Sequence, residues 1–202
     1  AAIQQYLNGG GAFFMASMEI LSRLLNAGNG AFVTNVLHVG RFVRSTDPFS
    51  HCLDCDEDFR VPTAVGITAD LVGDGLELVL NYDNYPFFLE LGPDFADTFG
   101  TTTNASPFLI EEGSGKTCGV RFPQTGADST GRVAFVSFPL DAIPGDVPAP
   151  NDRASFLRRV FQFLAPGLNG LGTVALNQES YRLPDQVTIE VGDSDLAGQA
   201  GA

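Results

Sequence analysis

Residues 6–17 read YLNGGGAFFMAS, and this stretch decides the fold class. The three glycines at 9–11 follow apolar residues at helical spacing, so they can provide a left-handed helix end and a turn. Residues 12–16 are then continuously apolar, which is typical of a strand covered on both faces, as in a parallel sheet. The stretch therefore predicts a helix, a tight turn and a buried strand in immediate succession.

A second helix is predicted directly after this strand. Ser17 is a favoured N-cap residue, and Leu21, Leu24 and Leu25 lie on one apolar stripe over residues 18–25. Helices that alternate with a buried strand indicate an α/β domain.

The clearest helix of the sequence follows a late apolar strand at residues 132–138. It is predicted over residues 152–164, with Asn151 or Asp152 as its cap and Pro166 just after its end. The predicted apolar face of this helix consists of Phe156, Leu157, Val160, Phe161 and Leu164.

The middle of the chain carries weaker signals. Residues 44–75 are polar, acidic and rich in turn residues, so we expect them to form an excursion on the surface. Short strands separated by turns are predicted at residues 98–103, 107–111 and 117–122. These strands indicate an antiparallel edge to the sheet.

The last thirty residues have a different pattern. After a linker rich in Pro and Gly, the helical period gives way to alternation at Val187, Ile189 and Val191. We therefore expect an α/β domain over residues 1–166 and the first strands of a β-sandwich over residues 173–202. Two strands alone do not make a stable sandwich, so the expected partners are other domains of the same polypeptide or copies of this chain, through the C-terminal β segment.

The composition excludes several classes of partner. The formal net charge of the 202 residues is -13, which repels phosphate backbones, so nucleic acid is not an expected partner. The apolar runs are too short to cross a bilayer, so membrane insertion is not expected. A single lysine, no Trp and abundant Gly, Asp and Thr are typical of extracellular bacterial proteins, and we predict an extracellular or cell-surface location. The first residues read as the interior of a helix, so we expect further sequence upstream.

The two ends of the α/β part carry a resemblance to a known family. Residues 6–17, and residues 131–139 with the helix after them, resemble the elbow segment and the final strand and helix of class I glutamine amidotransferase-like domains. The resemblance implies a flavodoxin-like, partial doubly wound sheet with antiparallel edge strands, whose N-terminal part would precede this sequence. The segment after residue 173 resembles the opening strands of immunoglobulin-like repeats in large bacterial surface proteins.

The catalytic residues that the resemblance implies are not present. Active members carry a Cys at the elbow between strand and helix, and a His and Glu in a Phe-His-Pro-Glu type run after the late strand. Here Ser17 or Met18 occupies the elbow, and Phe138 stands at the position of the base, followed by Asp141. A phenyl ring cannot accept a proton, so a nucleophile would lack its base.

We therefore expect a non-catalytic structural or binding module of a secreted or cell-surface multidomain protein, and not an enzyme. Two alternatives stay open. One is a self-assembling subunit of an extracellular filament, and the other is a hydrolase that uses Ser17.

A cysteine motif leaves two kinds of chemistry open. Cys52 and Cys55 have CxxC spacing, which suits a disulfide or half of a zinc site. His51 and the distant Cys118 could complete four zinc ligands. A disulfide, local or to Cys118, suits an extracellular chain better.

The acidic residues beside this motif suggest calcium only weakly. Asp54, Asp56 and Asp58 alternate as in a calcium loop, but Phe59 replaces the required Gly and Val65 stands where the bidentate Glu belongs. We therefore expect no cofactor, with calcium and zinc as the alternatives.

His38 lies among apolar residues, and we expect it to be a structurally satisfied histidine without a functional role.

Overall fold

The computed structural model describes residues 2–42, 60–85, 94–125, 131–166, 173–176 and 189–192. The chain divides into two compact units, Ala1–Leu164 and Ala165–Ala202. The described helices of the first unit are α1 (Ala2–Asn8), α2 (Ile20–Asn26), α3 (Gly30–Asn35) and α4 (Arg153–Leu164). Its described strands are β1 (Ala12–Ala16), β2 (Val39–Arg41), β3 (Thr63–Gly66), β4 (Glu77–Val79), β5 (Gly100–Thr101), β6 (Ser106–Glu111), β7 (Thr117–Phe122) and β8 (Arg132–Val136).

A six-stranded mixed sheet with the order β1-β8-β7-β6-β3-β4 forms the centre of this unit. β1 and β8 are parallel and pair in register from Ala12 opposite Arg132 to Ala16 opposite Val136. The other neighbouring strands of this sheet are antiparallel. The structure therefore confirms the prediction of an α/β fold that contains antiparallel strands.

A smaller antiparallel sheet in the first unit joins β2 to β5, with Val39 opposite Thr101. In the second unit, β9 (Thr173–Leu176) and β10 (Ile189–Gly192) form an antiparallel pair, with Ile189 opposite Leu176. No helix in the described parts of the chain is both long and apolar enough to cross a membrane.

Both faces of the six-stranded sheet are covered by apolar side chains. One set, which we call the α4-side cluster, contains Ala134 and Val136 of β8 together with Phe138, Phe156 and Val160. The other, which we call the α2–α3-side cluster, contains Val133 and Phe135 of β8 together with Leu7, Leu21 and Val33. Because side chains alternate along a strand, a strand between two such layers has to be apolar on both faces.

The predicted N-cap of α2 is wrong. Helix α2 begins at Ile20, and its N-cap is Glu19 in the left-handed conformation, with φ 58° and no side-chain capping bond. The reason is that pairing continues past the end of β1, because the Ser17 N–H donates to the Val136 carbonyl at 3.2 Å. The chain therefore turns two residues later than Ser17.

The expectation of a surface excursion is wrong for residues 60–75, whereas residues 43–59 lie outside the described part of the chain. Strand β3 lies inside the sheet, between β4 and β6. Next to it, a side chain at Gly66 would place its Cβ 1.6 Å from the Gly73 carbonyl oxygen. Tight backbone packing thus places β3 inside the sheet, while residues 68, 69, 71, 74 and 75 after it are exposed.

The buried face of α4 also differs from the predicted apolar face. Asp152 caps the helix, because its carboxylate accepts from the Ser155 N–H at 2.9 Å. Phe161 is 56% exposed, and Phe163 is buried in its place. The Phe163 ring lies against the guanidinium groups of Arg121 and Arg132, at 5.4 and 5.3 Å from its centroid.

A buried ion pair fixes the loop after β3 to β7. The Arg121 Nε donates to the Asp70 carboxylate at 2.8 Å, and both side chains are less than a tenth exposed. The other Asp70 oxygen accepts from the N–H groups of Val72 and Gly73 at 2.8 and 3.0 Å. The Arg121 Nη1 donates to the Pro123 carbonyl at 2.9 Å. Both charges are therefore hydrogen-bonded as well as paired, which is what makes their burial tolerable.

We predict that Asp70→Ala destabilises the protein by about 3–5 kcal/mol, because it leaves the buried Arg121 without its counter-charge. The matched control is Arg23→Ala, which removes the exposed Arg23–Glu19 pair and should cost within about 0.5 kcal/mol. Urea unfolding of the two variants measures both changes. Equal losses of stability would contradict the importance of the buried pair.

Candidate functional site

The edge where β1 and β8 both end is the place to look for the catalytic residues that the resemblance implies. Ser17 follows β1 and Phe138 follows β8, and because the two strands are parallel these residues emerge at the same edge of the sheet. Glu19 holds the left-handed backbone conformation there, two residues beyond Ser17. Such a conformation is uncommon for a residue other than glycine and marks a tight strand-to-helix turn.

The Ser17 side chain is bonded to the neighbouring backbone. Its hydroxyl donates to the Met18 carbonyl at 3.2 Å. Among the described residues, no imidazole or carboxylate is hydrogen-bonded to the Ser17 hydroxyl. The next side chain, Met18, accepts from the Phe95 N–H through its sulfur at 3.2 Å. At the elbow, the Ser17 hydroxyl is therefore hydrogen-bonded to the backbone, and the Met18 sulfur already accepts a hydrogen bond.

The position of the expected base is filled by hydrophobic packing. Phe138 is fully buried in the α4-side cluster, and Met18 packs against the same cluster. A polar base at this position would have to be desolvated in apolar surroundings.

The other two polar residues after β8 are engaged with neighbours. The Ser137 hydroxyl lies within hydrogen-bond distance of the Asp97 and Cys118 carbonyl oxygens. The carboxylate of the exposed Asp141 accepts from the Tyr85 hydroxyl. Burial, helped by the hydrogen bond to Asp141, raises the pKa of Tyr85 to about 12. This pair lies at the surface, with Asp141 in the short 3-10 helix Leu140–Ala142.

The candidate metal and disulfide residues are only partly within the described chain. Cys118 carries a free thiol that is fully buried, and burial raises its pKa well above the usual value. His51, Cys52 and Cys55 lie outside the described residues, as do the calcium candidates Asp54, Asp56 and Asp58. In the part of the chain that the structure describes, no group of three or more His, Cys, Asp or Glu side chains could hold a metal ion.

Asp94 and Tyr82 line a cavity, have raised pKa values and are hydrogen-bonded to the backbone. Burial raises the pKa of Asp94, whose two oxygens accept from the N–H groups of Val61 and Ala96 at 2.9 and 3.0 Å. Burial also raises the pKa of Tyr82, whose hydroxyl donates to the Val61 carbonyl at 2.9 Å. These bonds tie the segment before β3 to the segment before β5.

His38 is a mostly buried polar residue whose ring and backbone are both held by neighbouring residues. Its backbone is left-handed, with φ 58°, and its carbonyl accepts from the Thr102 N–H at 2.9 Å. Its ring stacks on Phe122 with centroids 4.0 Å apart and an interplanar angle of 11°. The Thr102 hydroxyl donates to the Asn104 carboxamide at 2.8 Å and lies 3.4 Å from His38 Nδ1. The backbone conformation that makes this arrangement possible has no signature in the sequence.

The His38 ring is neutral near pH 7. Burial lowers its pKa to about 4, against a smaller opposite effect of its hydrogen bond with Asn104. A neutral imidazole donates from one ring nitrogen and accepts at the other, so the ring can meet either kind of hydrogen-bonding group.

Comparison with known proteins adds no relative. No family model, curated protein or solved structure matches the chain.

We predict that the His38 ring titrates with a pKa of about 4, measured by NMR of its ring protons. Because this pKa lies below the unfolded value of about 6.5, the unfolded state binds more protons between these two pH values. Stability should therefore fall as the pH drops from about 6.5 towards 4. In His38→Asn, which keeps a side chain tolerated in the left-handed conformation, this part of the fall should be absent. Identical pH dependence of urea unfolding in both proteins would contradict the prediction.

Proposed function

We propose that the chain is a non-catalytic structural or binding module of a secreted or cell-surface multidomain protein, with an amidotransferase-like arrangement of β1, β8 and α4. The observation that carries the proposal is the burial of Phe138 after β8, at the edge where the Ser17 elbow lies. A hydrolase or amidotransferase needs a base within hydrogen-bond reach of its nucleophile. Ser17 donates to its neighbouring backbone, and an apolar ring stands where the base belongs.

The parallel pairing of β1 with β8 supports the amidotransferase-like part of the proposal. In the arrangement that the resemblance implies, the elbow follows one parallel strand and the base follows another, as Ser17 and Phe138 do here. Helix α4 then packs back onto this pair, because its buried side chains share the α4-side cluster with Ala134 and Val136.

We predict that the protein has no glutaminase, amidase or esterase turnover, and that a fluorophosphonate probe does not label Ser17. The test compares the chain with two variants. Ser17→Ala removes the elbow hydroxyl, and Ser155→Ala is the control because it removes a serine in the first turn of α4. All three proteins should give the background rate. Turnover or labelling that disappears in Ser17→Ala and persists in Ser155→Ala would establish the hydrolase alternative instead.

A second candidate function, self-assembly, is favoured by the C-terminal β segment. Within the described residues, β9 and β10 pair only with each other. A sheet of two strands is marginally stable by itself, and its outer edges present unpaired N–H and C=O groups that another strand can use. In an immunoglobulin-like domain such strands would come from further sequence. In a filament they would come from another copy of the chain.

We predict that the full chain associates in a concentration-dependent way in sedimentation velocity experiments, whereas a chain ending at Pro166 stays monomeric. The shorter chain is a suitable control because residues 1–164 form a compact unit by themselves. If both chains are monomeric at every concentration, self-association through the β segment is wrong. If both associate equally, the contact lies in the first unit.

A further inference from the structure

A cavity of about 360 Å³ opens beside His38, at the beginning of β8. Its volume lies in the range of small-molecule sites, roughly 300–1,000 Å³. The stacked rings of His38 and Phe122 form part of its wall. Gly131 and Val133 place it at the opposite end of β8 from Phe138, so it is separate from the elbow.

The polar side chains that the described residues contribute to this cavity are uncharged. Four carboxamides line it, from Gln4, Asn8, Asn35 and Asn104. None of the described residues that line it carries a formal charge, because the fifth polar group is the neutral His38 ring.

This lining selects a class of ligand. Each carboxamide offers both a donor and an acceptor, which is the combination that a hydroxyl group also presents. A charged ligand would give up part of its hydration without meeting a counter-charge among the described lining residues, and an anion would also be repelled by the net charge of -13. An uncharged molecule with several hydroxyl groups can exchange water for the carboxamides, of which the Asn8 and Asn104 oxygens already accept from Gln4 and Thr102 and the amide N–H groups remain as donors.

The backbone at His38 is an independent observation that points to the same place. Left-handed backbone in a residue other than glycine costs free energy, and such strain is concentrated at ligand sites. Here two neighbours maintain it, because the Thr102 N–H holds the His38 carbonyl and Phe122 stacks on the ring. The strained residue is 7% exposed and lies on the wall of the cavity, whereas the four carboxamides belong to three other segments of the chain.

We propose that the His38 cavity binds an uncharged saccharide. This proposal names a ligand class for the proposed function. It rests on that function only where it takes the chain to be a module that binds a ligand. It needs no base and no nucleophile, because the carboxamides and the imidazole hold hydroxyl groups by hydrogen bonds alone.

The experiment is a titration of the labelled full chain, followed by NMR, with glucose, galactose and N-acetylglucosamine as neutral probes. Glucuronic acid and glucosamine are their charged counterparts. A neutral sugar should shift the ring resonances of His38 and the side-chain amide resonances of Asn35 and Asn104. The charged sugars should shift them less at equal concentration.

Two variants make the test specific. Asn35→Ala removes one carboxamide from the wall and places a good helix former at the end of α3, so the fold should be kept. The affinity for the neutral sugar should fall roughly twofold to tenfold, the effect of one hydrogen bond. Asn29→Ala removes a carboxamide at the other end of α3 that does not line the cavity, and it should leave the affinity unchanged.

The proposal is overturned if no neutral sugar of the set shifts these resonances, if the charged sugars bind equally well, or if Asn35→Ala and Asn29→Ala bind alike. Its failure is distinguishable from failure of the proposed function. If no sugar binds, the result of the serine assay is unaffected. If turnover depends on Ser17, the non-catalytic assignment is wrong, but sugar binding at His38 is unaffected.

Discussion

Strand β8 has no face in contact with water, and much of the first unit is arranged to keep it so. Its five residues are all buried, with Val133 and Phe135 in the α2–α3-side cluster and Ala134 and Val136 in the α4-side cluster. A strand buried on both faces requires a layer on each, so helices are needed on both sides of the sheet. The parallel partner β1 and the antiparallel partner β7 then satisfy its backbone on either edge.

The same burial continues beyond the strand and limits the chemistry at its end. Phe138 and Ile143 are fully buried, so the segment that follows β8 serves as core. The strongly perturbed groups elsewhere in the unit follow the same pattern, because the carboxylate of Asp94 binds backbone N–H groups and the thiol of Cys118 lies within the core. A perturbed pKa is common at functional sites, but here burial is the largest cause of each shift. The centre of the first unit is therefore stabilised by burial, and its buried polar groups are bonded mainly to backbone.

Sequence reasoning succeeded where a local period was strong and failed where distant residues decided the outcome. A continuous apolar run predicted β1, segments between turns predicted β6, β7 and β8, and the 3.6-residue period predicted α4, with Asp152 as one of two candidate caps. β3 was missed because its polar neighbour Asp70 is neutralised by Arg121, 51 residues away. Phe163 replaced Phe161 in the core because two arginines from β7 and β8 meet its ring. Periodicity contains no information on such partners.

The setting of His38 could not be predicted from the sequence for a related reason, because its backbone conformation is fixed by residues far along the chain. Left-handed backbone also occurs at Glu19, where the side chain reaches Arg23 in an exposed pair. At His38 the same conformation is enclosed: the short β2–β5 sheet begins beside it, and the Thr102 N–H fixes its carbonyl. A strained residue costs about 1–3 kcal/mol and persists only when its neighbours hold it. One of the neighbours that do so here, Phe122, also forms part of the wall of a cavity lined by carboxamides. Burial keeps the imidazole neutral, so the ring adds hydrogen-bonding capacity to this wall without adding charge.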